Sequence, residues 1–221
     1  MDASEARPAH LGSVVSINGS IMMILGDAET AATWRGTTNH VDSDTIPDLY
    51  LEDGDSDWAR CLRSLDGAGD LPFARVTCGG GELLTIAIAS GGYVEVFRVG
   101  ETLVLVEACW SEVDHLTDRD FLDYVKNPCD ADATDAGFVE VQTGAIAFLP
   151  APSSGEEMTE TLAKLGPDGS AQFPTDGETA VVVRLPAGRY QVRIEGEVER
   201  AWGSGARAVV ELDLAAQGYE P

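Results

Sequence analysis

Short apolar stretches bounded by glycine recur along the chain, and two of these stretches are similar to each other. Residues 12–25 (GSVVSINGSIMMIL) and residues 137–150 (GFVEVQTGAIAFLP) each contain an alternating strand, a turn and an apolar strand. This order is typical of a β-hairpin. The match places Gly12 opposite Gly137 and Ile24 opposite Leu149. We therefore expect each half of the chain to open with the same hairpin.

Further strands are predicted by alternating or continuous runs of apolar residues. Gly79–Gly81 lacks the lysine and the helix that follow a phosphate-binding loop, so we expect a hairpin turn there. A second turn is expected at Gly100. The strands predicted after the opening hairpins span residues 74–78, 82–89, 93–99, 102–108, 179–185, 189–195 and 207–214.

Short helices are expected between these strands. Asp27 stands at the start of the first, where its carboxylate can accept hydrogen bonds from free backbone amides. Ser56 or Asp57 has the same role in the second, and Trp58 and Cys61 lie on its apolar stripe. The predicted helices span residues 28–35, 58–65, 118–126 and 156–165.

These patterns predict an α+β, strand-dominated protein with two similar halves, each containing antiparallel hairpins or a meander and one or two short helices. The later strand–turn–strand segment 183–190 also matches the segment 76–83. Two matches in the same order favour an internal duplication. The polar segment 129–136 separates the halves, which gives an N-terminal unit of residues 1–127 and a C-terminal unit of residues 128–221.

Composition sets the broad class of protein. The chain has 221 residues, of which 44% are hydrophobic, so it can form a substantial core. No apolar run approaches the roughly 20 residues that span a bilayer. The first residues are polar and acidic, unlike a secretory signal. We therefore expect a cytoplasmic protein.

The charge of the chain is strongly negative, with 38 acidic against 14 basic side chains and a net charge of −24. Such a surface repels nucleic-acid phosphates and attracts a basic protein. Solubility and adaptation to high salt are alternative reasons for the acidity. The charge thus excludes direct nucleic-acid binding and leaves a basic protein partner open.

The acidic residues are densest in the polar segment 37–57, where tyrosine and leucine stand between the carboxylates. A long irregular segment in a compact protein is usually functional or disordered. This one suits either a partner-binding surface or a solvated loop held by a few apolar residues. The residues expected to contact a partner are Asp44, Asp48, Tyr50, Glu52, Asp53, Asp55 and Asp57.

Motifs for catalysis, metals or cofactors are absent from the sequence. The four cysteines are scattered without a Cys-x-x-Cys pair, and the three histidines are far apart. Residues 53–57 resemble the opening of a calcium loop, but Trp58 replaces its central glycine. The chain contains neither a Gly-x-Ser-x-Gly motif nor a dinucleotide-binding fingerprint. We therefore predict a protein that is not an enzyme and binds neither a metal nor a cofactor.

Four short motifs stand out along the chain: residues 31–36 (AATWRG), 79–84 (GGGELL), 144–150 (GAIAFLP) and 185–193 (LPAGRYQVR). Together they resemble the immunity protein 21 family of bacterial polymorphic toxin systems. The resemblance extends in short patches from about residue 12 to residue 214. It implies a cytosolic inhibitor that binds and neutralises a cognate toxin without catalysis. It implies no particular binding surface.

The function predicted from the sequence is therefore that of a cytoplasmic immunity protein with an acidic binding surface. Its partner would be a cognate protein toxin, basic in charge, such as a nuclease that binds phosphate. One alternative is a structural or assembly module that pairs strand edges with another chain. The other is a small-molecule or carbohydrate-binding β module, for which the aromatic content of 7% is low.

Overall fold

The structure is a computed structural model of the chain. It describes residues 7–16, 21–36, 56–69, 71–88, 93–108, 115–117, 119–127, 133–166, 169–175, 178–200 and 203–212. Within these residues, twelve strands form one antiparallel sheet. Four α-helices lie outside the sheet, and none of the described helices is both long and apolar enough to cross a membrane.

The first six strands are β1 (Ala9–Val15), β2 (Ile21–Asp27), β3 (Phe73–Cys78), β4 (Gly81–Ile88), β5 (Tyr93–Val99) and β6 (Thr102–Ala108). The remaining six are β7 (Thr134–Val141), β8 (Ala145–Pro150), β9 (Ser170–Thr175), β10 (Glu178–Arg184), β11 (Gly188–Arg200) and β12 (Gly203–Leu212). The helices are α1 (Ala28–Ala31), α2 (Asp57–Gly67), α3 (Arg119–Lys126) and α4 (Met158–Lys164).

The sheet is nearly closed and barrel-like, and its strands fall into two groups of six. The helix-bearing group has the order β3-β4-β2-β8-β10-β9, and the second group has the order β1-β5-β6-β12-β11-β7. The two groups meet at the register pair of Val15 with Thr179. On the other side, no register pair between described residues joins β7 to β3 or β4. That side is the open seam of the sheet.

An apolar core fills the space between the two groups of strands. Alternate residues point inward, and ten of the twelve strands contribute buried side chains, among them Met23, Phe148 and Tyr190. A second cluster packs α1, α2 and α4 against the outer face of β2, β8 and β10, and includes the fully buried Trp34. A third packs α3 against β5 and β6 around Phe121.

The predicted fold class is wrong. An α+β protein of two similar halves was expected, but the structure is mostly β, with one continuous sheet shared by both halves of the chain. Strand β2 pairs with β8, and β6 pairs with β12, so strands from both sides of the predicted boundary at residue 127 are neighbours. Because β2 and β8 are apolar on both faces, each needs a central position between strands, helices and core.

The predicted opening hairpins are also wrong. Strand β1 pairs with β5 and β10, whereas β2 pairs with β4 and β8. In the same way β7 pairs with β11, whereas β8 pairs with β10 and β2. Each of these chain segments therefore crosses from one group of strands to the other. Residues 183–190, which match the strand–turn–strand segment 76–83 in sequence, do not form a hairpin either. Strand β10 pairs with β9, and β11 pairs with β12.

Predictions that depend on neighbouring residues are confirmed. Strands β3 and β4 form a hairpin through Gly79 and Gly80, both at positive φ, and β5 and β6 form another through Gly100. Asp27 caps α1 and Ser56 caps α2. Helix α1 ends four residues earlier than predicted, and α4 is shorter than predicted at both ends.

The strand registers repeat between the two parts of the chain. Ile24 and Leu149, which the sequence match places opposite each other, are direct partners across β2 and β8. Both β1 and β7 carry a bulge just before the matched glycines Gly12 and Gly137. The register leads from Gly12 through β5 to Leu105, and from Gly137 through β11 to Val210, so Leu105 is equivalent to Val210. The preceding residues, Val104 and Val209, are then also equivalent, and they are direct partners across β6 and β12. The pairing pattern therefore has an approximate twofold axis through the centre of each group.

Candidate functional site

The predicted partner-binding residues lie mostly outside the described part of the chain. This applies to Asp44, Asp48, Tyr50, Glu52, Asp53 and Asp55. Asp57 is described, and it is buried at the start of α2. Its carboxylate accepts a hydrogen bond of 2.6 Å from the backbone amide of Arg35 and forms an ion pair with Arg60. In this position Asp57 joins the segment after α1 to α2, and its contact with a partner stays a prediction.

A serine, a glutamate and a histidine lie together on the outer face of β1 and β5. Glu95 is almost completely buried and accepts a hydrogen bond of 2.6 Å from the hydroxyl of Ser13. The Nε2 atom of His10 lies 2.5 Å from the same carboxylate. Because the carboxylate lies between the other two groups, the histidine is not placed to take the serine proton. The cluster therefore lacks the geometry of a serine nucleophile with its base.

The two described cysteines are structural thiols. Burial raises the pKa of Cys61 to about 12, against the lowering effect of its hydrogen bond to Thr85. Burial also raises the pKa of Cys78, and the nearby carboxylate of Asp57 adds to that effect. Both thiols therefore stay protonated at neutral pH, which makes them poor nucleophiles. Among the described residues no group of three metal-ligating side chains could hold a metal ion.

A cleft of about 360 Å³ lies at the open seam between β4 and β7. We call it the seam cleft. It combines charged, aromatic and backbone groups from both parts of the chain. The side chains that define it are Asp27, Arg75, Glu82, Phe138, Glu140 and Arg189.

The floor of the seam cleft is fixed by Asp27, whose side chain is buried at the end of β2. One carboxylate oxygen accepts from the amides of Glu29 and Thr30 at 3.1 and 3.3 Å, which caps α1. The other accepts from the amides of Gln142 and Thr143 at 2.8 and 2.9 Å, and from the Thr143 hydroxyl. Asp27 therefore joins the first helix to the chain between β7 and β8.

One wall of the seam cleft is formed by Arg75 of β3. Its guanidinium donates to the carbonyl of Phe138 at 2.7 Å and contacts Glu82 at 3.3 Å. A Cβ atom at Gly137 would lie 2.7 Å from this guanidinium, and the φ of Gly137 is +84°. Only glycine suits this position without strain, because other residues rarely adopt such a φ. Gly137 therefore leaves room for the Arg75 guanidinium to reach the backbone of β7.

The opposite wall is formed by Arg189 of β11 and Phe138 of β7. The guanidinium of Arg189 lies 3.5 Å from the centre of the Phe138 ring, which is a cation–π contact. Its Nε atom is 4.0 Å from the carboxylate of Glu140. Arg189 therefore contacts the aromatic ring closely and the carboxylate only at the limit of an ion pair.

The seam cleft carries a net negative charge, since three carboxylates face two guanidinium groups. Asp27 is buried and bonded to backbone amides, but the side chains of Glu82 and Glu140 are 61% and 63% exposed. A carboxylate has about four acceptor positions, so the long ion pairs to arginine leave acceptor capacity on both glutamates. The cleft can therefore accept hydrogen bonds from a cationic group that enters from solvent.

The seam cleft could not be predicted from the sequence, because its residues come from five separate strands. Glu82 follows the predicted Gly79–Gly81 turn and Glu140 lies in the predicted opening strand, but neither carries a motif. The useful signals were Gly137, which leaves room for an arginine side chain against β7, and Asp27, which was expected only to cap a helix. Without knowledge of the strand order, nothing in the sequence indicates that Gly137 and Asp27 lie close together.

The motifs behind the family resemblance have structural roles in the described residues. Trp34 is fully buried, and its indole N–H donates to the carbonyl of Ala151 at 2.8 Å. The hydroxyl of Tyr190 donates to the carbonyl of Pro186 at 2.8 Å. The family assignment itself stays a prediction. Compared with known proteins, the chain has no match among protein-family models, curated proteins or solved structures.

Proposed function

We propose that this protein is a non-catalytic cytoplasmic immunity protein that neutralises a cognate toxin by stoichiometric contact. The main support is its charge. With 38 acidic and 14 basic side chains, one-to-one pairing leaves at least 24 carboxylates without a basic partner in the same chain. Such an excess favours association with a basic protein and raises the rate of encounter.

Many of the basic side chains already have intramolecular partners. Arg207 forms a buried ion pair of 2.5 Å with Glu195, and Arg193 forms a partly exposed ion pair of 2.5 Å with Glu211. Arg98 donates to the carbonyl of Arg184 at 2.8 Å. These contacts place positive charge inside the fold or along the strands. The carboxylate excess therefore dominates the field that an approaching partner meets.

The packed interior supports a scaffold function over the binding of a ligand inside the sheet. Among the described residues the space between the two groups of strands is filled by buried apolar side chains. A module that held a small molecule there would need a cavity with a few polar groups. Partner binding is thus more consistent with the outer surface and with the seam cleft than with the interior.

A basic toxin is the partner that this charge suits best. A nuclease binds phosphate through lysine and arginine side chains, and carboxylates of an inhibitor can occupy the same electrostatic position. Inhibition of this kind needs no catalytic group on the inhibitor. It needs a rigid surface and complementary charge.

The proposal is tested with the product of the gene directly upstream, which we expect to encode the toxin. The affinity of the two purified proteins is measured by titration calorimetry at about 50 mM and about 500 mM salt, because screening weakens exposed charge pairs. We expect a one-to-one complex whose Kd rises at least about tenfold at the higher salt. Absence of binding, or binding insensitive to salt, would contradict the proposal.

A further inference from the structure

Four strands lie at the ends of the two groups, and each has one side without a full partner strand. They are β3 and β9 in the helix-bearing group, and β1 and β7 in the second group. An unpaired strand edge presents backbone groups to which a strand of another chain can bind, so proteins usually block such edges. The four edges differ in whether they are blocked.

Contacts with neighbouring strands block the edges of β1 and β7. Strand β1 pairs with β10 at Val15, and its Ser13 carbonyl accepts a hydrogen bond of 2.8 Å from a glutamine of β9. In β7 the carbonyl of Phe138 accepts a hydrogen bond of 2.7 Å from Arg75, and Asp27 accepts from the amides just after the strand. These contacts occupy backbone groups that a further strand would need.

A proline blocks the outer edge of β9. The amide of Arg184 in β10 donates to the carbonyl of Gly169 at 2.9 Å, so the odd-numbered residues of β9 pair with β10. The even-numbered residues therefore turn their backbone groups outward, and one of them is Pro174. Because proline has no N–H group, it cannot donate to a further strand. Pro174 thus removes a donor from the middle of this edge.

The outer edge of β3 is open. The amide of Ala87 donates to the carbonyl of Pro72 at 2.7 Å, so the even-numbered residues of β3 pair with β4. Phe73, Arg75 and Thr77 therefore turn their N–H and C=O groups outward. Within the part of the chain that the structure describes, β4 is the only strand paired with β3. The edge therefore offers a donor and an acceptor at each of these three residues.

The edges of β3 and β9 are equivalent in the repeated registers. Met23 and Phe148 are opposite each other in the sequence match, and the registers lead from Met23 to Phe73 and from Phe148 to Gln172. Two residues further along, β3 has an arginine where β9 has its proline. The repeat therefore blocks one of two equivalent edges and keeps every outward N–H group on the other.

The side chains at the β3 edge leave its charge directed elsewhere. Arg75 and Thr77 are exposed. A charged side chain can itself block an edge, but the guanidinium of Arg75 donates to the Phe138 carbonyl at 2.7 Å and contacts Glu82 at 3.3 Å. Its charge is therefore directed towards β7 and β4.

We propose that the open edge of β3 pairs with an extended segment of the basic partner protein, which adds a strand to the helix-bearing group. Backbone hydrogen bonds hold such a strand, and its alternate side chains add further contacts. A second copy of this chain is disfavoured as the occupant, because two chains of net charge −24 repel each other. The same charge attracts a basic chain. This inference rests on the proposed function, because it names the edge by which the protein holds its partner.

Amide hydrogen exchange of the whole protein, followed by NMR, tests the open edge without a partner. We expect the amides of Phe73, Arg75 and Thr77 to exchange at least about tenfold faster than those of Ala74 and Val76, which donate to β4. Equally slow exchange at all five amides would show that the edge is already covered, and would overturn the inference.

The same measurement with the product of the upstream gene bound tests the docking itself. We expect exchange at Phe73, Arg75 and Thr77 to slow at least about tenfold in the complex, and exchange at Gln172 on the blocked β9 edge to stay unchanged. A complex that forms without this protection would overturn the inference and leave the proposed function standing. Absence of a complex in the calorimetric titration would contradict the proposed function, and the inference with it.

Two substitutions of one residue separate the backbone donor from the side chain. Arg75→Pro and Arg75→Ala both remove the guanidinium, but only proline removes the N–H group, and Pro174 shows that the equivalent strand accommodates it. We expect the Kd for the upstream gene product to be at least about tenfold higher in Arg75→Pro than in Arg75→Ala. Equal Kd values would overturn the inference. Circular dichroism checks that both variants fold, and if Arg75→Pro does not, the exchange measurements on the wild type decide.

Discussion

Replacement of Asp27 by alanine tests how the two parts of the chain are joined. The change removes the cap of α1, which costs about 0.5–2 kcal/mol in other proteins. It also removes the acceptor for the amides of Gln142 and Thr143, now bonded at 2.8 and 2.9 Å. Both hydrogen bonds are part-buried and end on a charged carboxylate, and a hydrogen bond to a charged group contributes about 1.5–3 kcal/mol. We therefore expect Asp27→Ala to lower the free energy of unfolding by about 3–5 kcal/mol.

Asparagine at the same position separates the two roles of Asp27. Asparagine is a good helix cap, but it has one oxygen and one NH2 group, so it cannot accept from the helix amides and from residues 142–143 together. We expect Asp27→Asn to cost about 1–3 kcal/mol, less than the alanine change. The cap of α1 should then be retained while the contact to the chain between β7 and β8 is lost.

Equilibrium unfolding in urea measures both changes, with the slope against urea as a check that the transition stays two-state. Asp120→Ala is the control, because Asp120 is an exposed acidic residue in the first turn of α3. Its loss should cost below about 1 kcal/mol. The reasoning is refuted if Asp27→Ala costs no more than this control, or if the asparagine and alanine variants are equally unstable.

Three further predictions test single contacts of the fold. Folding raises the pKa of Cys61 from 9.0 to about 12, so its contribution to stability is complete below about pH 9 and is lost as the pH rises toward 12. The free energy of unfolding should therefore fall less steeply between about pH 9 and 11 in Cys61→Ala than in the wild type. Gly36→Ala should cost at least about 2 kcal/mol in urea unfolding, because the φ of Gly36 is +58° and a Cβ atom would lie 2.0 Å from the Pro152 carbonyl oxygen; a smaller loss would show that the segment adjusts. Arg207→Met should cost about 3–5 kcal/mol because it leaves Glu195 as an unpaired buried charge, and adding Glu195→Gln should recover part of that loss in the same assay.

Local features of the fold could be predicted because their causes lie within a few residues. The hairpin of β3 and β4 needs two residues at positive φ, and Gly79 and Gly80 supply them. The cap of α2 needs a short polar side chain, and Ser56 supplies it. Its buried side follows from the helical spacing of Trp58 and Cys61.

The pairing of the opening strands could not be predicted, because alternation of apolar residues does not specify a partner strand. The segment between β7 and β8 was expected to be a hairpin turn. Instead, Asp27, which is 115 residues away from Gln142, accepts hydrogen bonds from the amides of Gln142 and Thr143. The seam cleft was missed for the same reason. Glu82 and Glu140 line one cavity only because β7 ends the second group of strands beside β4.

The central claim is that the protein inhibits a basic toxin by binding it and not by a reaction. The direct measurement is the residual activity of the product of the upstream gene as this protein is added in increasing amounts. The account predicts that activity falls linearly to zero at an equimolar ratio and returns when salt is raised, because the contact is electrostatic. Full inhibition at a small fraction of an equivalent, or no inhibition at any ratio, would contradict it.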